Sequence, residues 1–125
     1  MEPMFFFFYV PSDPQHVRTA AAMYDGPYDV MPDVSIATMR TFLNVAANSA
    51  DEPSAKILAE RAGLNYAKFM RHIEDLAEGS RRVPGHQVLT KTYNAEMRRH
   101  EIHITLKGLN LLGAIVEPIA EAKAE

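Results

Sequence analysis

The side chains best suited to chemistry in this chain are cations. Lys68 and Arg71 stand three apart, so a helix would carry both on one face beside Asn65, Tyr66, Ala67 and Met70. Such a face can meet backbone phosphates, guanine acceptors and thymine methyl groups. A second basic group follows: Lys91, Arg98 and Arg99, with Glu96 among them. An arginine at the tip of a hairpin can enter the minor groove, where narrow A·T-rich stretches concentrate negative potential. A solvated helix face and an ordinary exposed hairpin tip present the same residue types without any ligand.

Other chemistries fit less well. His72, His86, His100 and His103 suggest a metal. His100 and His103 are three apart on an expected strand, however, and so point to opposite faces. The chain has no cysteine, which removes disulfides, thiolate nucleophiles and thiolate-ligated metals. No serine or threonine stands in a nucleophile motif, and there is no glycine-rich phosphate loop. Glu74 and Asp75 read as a solvated helix end. The expectation is a protein that is not an enzyme and needs no metal or cofactor.

Charge supports an anionic partner through its distribution. The net charge is −3, yet residues 56–107 hold ten Lys/Arg against six Asp/Glu, a local charge of +4, with four of the five histidines. The remainder carries three Lys/Arg and ten Asp/Glu, or −7. A basic centre with acidic flanks suits a protein that turns one face to a polyanion. Chance segregation on a solvated surface would look alike.

These cations need elements to position them. The 125 residues are 47% hydrophobic and 23% charged, which fits one globular domain rather than a disordered chain. Ser35 can cap a helix to about Asn48, with Ile36, Met39, Phe42, Leu43 and Ala46 as its buried stripe. Residues 48–53 form a linker. Ser54 caps a second helix with Ile57, Leu58 and Ala62 inside, and Gly63 ends it where a left-handed residue is wanted. Asn65 caps a third helix, to about Glu78, whose Phe69, Ile73 and Leu76 face inward. Two short helices joined by Gly-Leu-Asn make a helix-turn-helix candidate, the second helix entering the major groove. A plain helical hairpin gives the same pattern. Residues 86–93 and 99–105 then read as strands around a polar tip, 94–98, with Ile102 and Ile104 on one face.

The ends are different in character. Phe5, Phe6, Phe7, Phe8 and Tyr9 run unbroken between Pro3 and Pro11. Glu2 at the start and the early proline do not match a secretory signal, and no apolar run approaches the roughly 18 residues of a membrane span. A cytoplasmic protein is expected. The aromatic run reads as an extended segment buried in its own core or, preferably, against a second subunit. Asp13-Pro14 starts a short helix to about Tyr24, Asp25-Gly26-Pro27 ends it, and Tyr28–Asp33 reads as a loop. A final helix opens at Thr105–Gly108 with Leu109, Leu112, Ile115, Val116 and Ile119 as an apolar stripe, and Pro118 is expected to kink or weaken its end.

In this order, residues 35–113 resemble the winged-helix DNA-binding domain of the MarR family of transcriptional regulators. Residues 57–65 resemble that family's lead into its helical turn, and Phe69 with residues 73–76 its recognition-helix core. Glu96-Met97-Arg98 resembles its acid-x-arginine wing signature, and residues 104–108 its exit from the wing. The resemblance implies a mainly α fold with a small β-hairpin wing (α+β), divided as residues 1–34 and 107–125 for dimerisation and 35–106 for DNA. It implies a homodimer that binds double-stranded DNA through Asn65, Tyr66, Lys68, Met70, Arg71, Lys91, Glu96, Arg98 and Arg99. In it, Arg98 would be the minor-groove arginine with Glu96 holding its geometry, and a small aromatic acid is a candidate effector. The chain departs from the pattern in the longer connection at residues 80–85, in its aromatic N-terminal run, and in a short proline-bearing last helix. A winged helix used as a protein-interaction module, without DNA binding, is the alternative.

Overall fold

The computed structural model describes residues 14–124, so the Phe5–Tyr9 run and the Asp13 cap lie outside the described residues. The elements are α1 (Pro14–Met23), α2 (Asp25–Val30), α3 (Ile36–Asn48), α4 (Ala55–Ala62), α5 (Tyr66–Leu76), β1 (Leu89–Asn94), β2 (Arg99–Ile104) and α6 (Leu106–Ala124). Among the described residues the fold is mainly helical with one antiparallel hairpin, an α+β arrangement.

Local chemistry explains most boundaries. Ser35 Oγ accepts from the Thr38 N–H at 3.0 Å and starts α3. Ser54 does the same for α4 through Ile57, and Asn65 Oδ1 for α5 through Lys68 at 2.8 Å. Gly63 ends α4 at φ 73°, where a side chain would be strained. Thr105 starts α6: its hydroxyl accepts from the Gly108 N–H at 3.0 Å and donates to the Gln87 carbonyl at 2.7 Å.

The core lies where α3, α4, α5 and the hairpin converge. Phe42, Val45, Phe69, Ile73, Leu76, Val88 and Ile102 are completely buried there, and Leu111 and Ile115 join them from α6. The inward spacing expected for Phe69, Ile73 and Leu76 is found in α5.

Three expectations are corrected. Residues 28–33 are not all loop, because α2 takes in Tyr28, Asp29 and Val30. Pro27 is its third residue, where the backbone nitrogen needs no intrahelical partner, so the proline does not break it. The stripe on α3 is rotated: Thr38, Thr41, Phe42 and Val45 are buried, while Ile36 is 80% exposed and Leu43 also lies outside. The threonines can turn inward because their hydroxyls are bonded, Thr38 to Ser35 and Thr41 to His72 and the Ala37 carbonyl. Finally, α6 is not short; its 19 residues continue through Pro118. Smaller shifts are the end of α5 at Leu76 and the start of β1 at Leu89.

The connection at residues 77–88 joins α5 to the hairpin. It turns back along the end of α5 and donates to that helix's last carbonyls: Gly79 N to Glu74 O, His86 N to Asp75 O and Val88 N to Leu76 O, at 2.7–2.9 Å. Gln87 N and Gly85 N bond Ala77 O and Glu78 O in the same way. The carbonyls a helix end leaves orphaned are thus satisfied by the strand's own approach. On the hairpin's other edge, the linker before α4 joins β2: Ile102 N donates to Pro53 O at 2.9 Å, and Ser54 bridges to Glu101. No helix among the described residues is long and apolar enough to cross a membrane.

Candidate nucleic-acid interface

The turn between α4 and α5 is held by its backbone. The Gly63 N–H reaches Glu60 O and the Leu64 N–H reaches Ala59 O, each at 3.0 Å. Arg40 caps the end of α4 from α3, donating to Ala62 O at 2.8 Å. With Phe69, Ile73 and Leu76 anchored in the core, the first turns of α5 leave Asn65, Tyr66, Ala67, Lys68 and Arg71 exposed. Met70 behaves otherwise: it is half-buried and packs against the core, so it offers little of itself to a ligand. Behind this face, His72 Nδ1 meets Thr41 Oγ1 at 2.7 Å. Burial, reinforced by the charges of Lys68 and Arg71 and opposed by Asp75, lowers the pKa of His72. The basic face therefore relies on Lys68 and Arg71 at neutral pH.

The hairpin pairs Leu89 with Ile104 through to Asn94 with Arg99 and closes on a four-residue turn, 95–98. Asn94 Oδ1 accepts from the Met97 N–H at 3.1 Å and shapes the turn. Arg98 sits at the tip, exposed, with φ 53°, a conformation that costs a non-glycine residue on the order of 1 kcal/mol. Glu96 and Lys91 are exposed as well. Among the described residues no ion pair joins Glu96 to Arg98. The acid that organises the hairpin is Glu101. Its Oε2 accepts from Arg99 Nε at 2.9 Å and from Asn94 Nδ2 at 3.1 Å, and its Oε1 lies 3.7 Å from His103 Nε2. Arg99 also reaches Glu52 at 3.5 Å, and Glu52 accepts from the Ser54 N–H at 3.0 Å. Arg99 is therefore tied between two carboxylates and fastens hairpin to linker, unlike the free contact expected of it.

This network is pH-sensitive. The hydrogen bond from Arg99, then that from Asn94, holds the Glu101 carboxyl below its ordinary value of 4.5. A carboxyl whose pKa is depressed by folding adds stability that is complete above the ordinary value and is lost as pH falls through the folded one. Glu101→Gln is expected to flatten the acid side of the stability profile. Thermal melts of parent and variant between neutral pH and about pH 3 should converge toward the acid end; a constant gap would show that Glu101 acts through packing alone.

One cleft brings helix starts and hairpin together. It encloses about 420 Å³ and is lined by Ser54, Lys56, Tyr66, Tyr93, Arg98, Arg99 and His100. Tyr66, Arg98 and Arg99 were expected from the sequence; Lys56, Tyr93 and His100 were not. Tyr93 was legible in principle, since closing the hairpin at Asn94 and Arg99 places it opposite His100. The two rings meet edge to face at 5.2 Å. Lys56 is brought in only by tertiary packing. Lys68, Arg71 and Lys91 do not line the cleft. Among the described residues no three His, Asp or Glu come together as a metal-ligand group.

No protein-family model matches the chain, and no curated protein matches it either.

Proposed function

We propose that the protein is a transcriptional regulator of the MarR-like winged-helix type that binds double-stranded DNA. In this reading α5 lies in the major groove and the hairpin is the wing, with Arg98 in the adjacent minor groove. The observation that carries it is the cleft between the start of α5 and the hairpin tip, where the charged lining residues among those described, Lys56, Arg98 and Arg99, are basic. Lys68 and Arg71, exposed on the first turns of α5, supply the base- and phosphate-reading side chains. The linker's pairing with β2 and the capping of α5 by the strand approach would hold helix and wing at a fixed separation.

The experiment is a titration of duplex DNA from a random pool at several salt concentrations, followed by sequencing of the bound fraction. Affinity should fall steeply with salt, because neutralised phosphates release counterions, and the selected sites should show two half-sites. Absence of retention on any duplex at low salt would favour the protein-interaction alternative.

The regulator would act as a homodimer. Leu106, Leu109, Val116 and Ile119 are exposed on α6 while Leu111 and Ile115 face the core, so the helix carries a second apolar side. Replacing Leu109 and Val116 by glutamate is expected to give a monomer in sedimentation velocity; a parent that is already monomeric would refute the dimer. An apolar groove of about 590 Å³ lies beside α2 and α3, lined by Met23, Tyr24, Tyr28, Ile36 and Leu43 with Arg40. That combination suits a small aromatic acid as effector.

A further inference from the structure

The cleft at the hairpin has features that a duplex backbone does not require. A backbone needs cations along a surface; this is a concavity of about 420 Å³, within the range of small-molecule sites. Among the described residues its charged lining is Lys56, Arg98 and Arg99, with no carboxylate. Arg99 is neutralised by Glu52 and Glu101. Lys56 and Arg98 form no ion pair among the described residues and remain available. Tyr66 is the first residue of α5, so that helix N-terminus opens at the cleft and adds partial positive charge, whereas the start of α4 already meets the Glu52 carboxylate at the Ser54 N–H. Two phenol rings complete the wall. Tyr66 is 44% and Tyr93 59% exposed, and Tyr93 is braced edge-on by His100. His100 Nδ1 is buried with no hydrogen-bond partner among the described residues, so the imidazole has hydrogen-bonding capacity unspent.

Cations and a helix N-terminus select a phosphate, and exposed aromatic rings select the flat face of a base. We infer that the cleft binds a nucleoside phosphate, its phosphate between Lys56, Arg98 and the start of α5, and its base against the tyrosine rings. The same chemistry is offered by a free mononucleotide and by a 5′-phosphorylated strand end. The inference goes beyond duplex binding and does not depend on it.

The test uses the full chain at low salt, with adenosine 5′-monophosphate, adenosine and inorganic phosphate as separate probes followed by NMR of the tyrosine rings. The mononucleotide should saturate and shift Tyr66 and Tyr93, and each half-ligand should bind at least about tenfold more weakly. Lys56→Gln and Arg98→Gln should each weaken the mononucleotide about tenfold, the loss of one charge-assisted contact, whereas Lys123→Gln, outside the cleft, should not. Both residues are exposed, and an unchanged amide spectrum would show that the variants fold. A 5′-phosphorylated oligonucleotide that outcompetes the mononucleotide assigns the site to strand ends; the reverse order assigns it to free nucleotide. Inorganic phosphate binding as tightly as the mononucleotide, or Lys56→Gln binding like the parent, overturns the inference. Because duplex affinity is measured separately, failure here leaves the regulator reading standing, and success here does not rescue it.

Discussion

The variant carrying Lys68→Ala, Arg71→Ala and Arg98→Ala is expected to lose at least about two orders of magnitude in affinity for its selected duplex while melting like the parent. Each contact to a base edge is worth roughly 1–3 kcal/mol, and every tenfold in affinity is about 1.4 kcal/mol. Even at the low end, three such losses exceed two decades. The side chains are exposed and none forms an ion pair among the described residues, so their removal costs the fold little. The single variants separate the roles. A phosphate contact weakens all duplexes alike and lowers the salt slope by about one, whereas a base contact relaxes preference at one position. Arg98 needs a second control because of its left-handed backbone. Arg98→Asn keeps a residue that tolerates φ above zero and removes the cation. If Arg98→Asn binds like the parent, the hairpin tip does not touch DNA. A triple variant of unchanged affinity would reject the interface as a whole.

The second large effect falls on a residue without a side chain. Gly85→Ala is expected to destabilise the protein by about 3 kcal/mol or more, at or beyond the upper end of ordinary overpacking. A Cβ at Gly85 would overlap the Ala77 carbonyl oxygen and the backbones of Glu78 and Gly79. These nearest atoms are all backbone, which cannot move aside as a flexible side chain can, and the clash falls on the segment that caps α5. Gly79 faces it from the other strand of the turn, with φ 83° and a Cβ position overlapping the backbone of residues 83–85. Gly85 has an ordinary φ, so its variant tests close packing alone; Gly79→Ala adds backbone strain. Chemical denaturation reads both. A Gly85→Ala protein within about 1 kcal/mol of the parent would mean that the turn can open at little cost.

Much of the scaffold was legible because it is encoded locally. The Ser35, Ser54 and Asn65 caps, the Gly63 stop and the hairpin tip each depend on residues within a few positions of one another. The buried trio on α5 follows from its period. What was not legible is tertiary. The inward turn of Thr41 depends on His72 in another helix. Ile36 and Leu43, which match the apolar period of α3, face an open groove instead of the core. Arg99 looked like one more exposed cation at the tip until the fold brought Glu52 beside it. Lys56 shared no pattern with the hairpin residues it stands among. Pro27 misled for another reason: the rule that proline breaks helices holds in the interior and lapses in the first turn.

The return of residues 85–88 along the end of α5 has a consequence for how the gene could change. His86, Gln87 and Val88 spend their amide protons on the carbonyls of Asp75, Ala77 and Leu76, so they act as a phase marker between helix and strand. One residue added between Gly85 and Leu89 would turn β1 over, sending Leu89 to solvent and Thr90 inward. A residue added at Arg81 or Arg82, both exposed and upstream of that marker, would only enlarge the bend. Length variation should therefore be tolerated on one side of Gly85 and lethal to folding on the other.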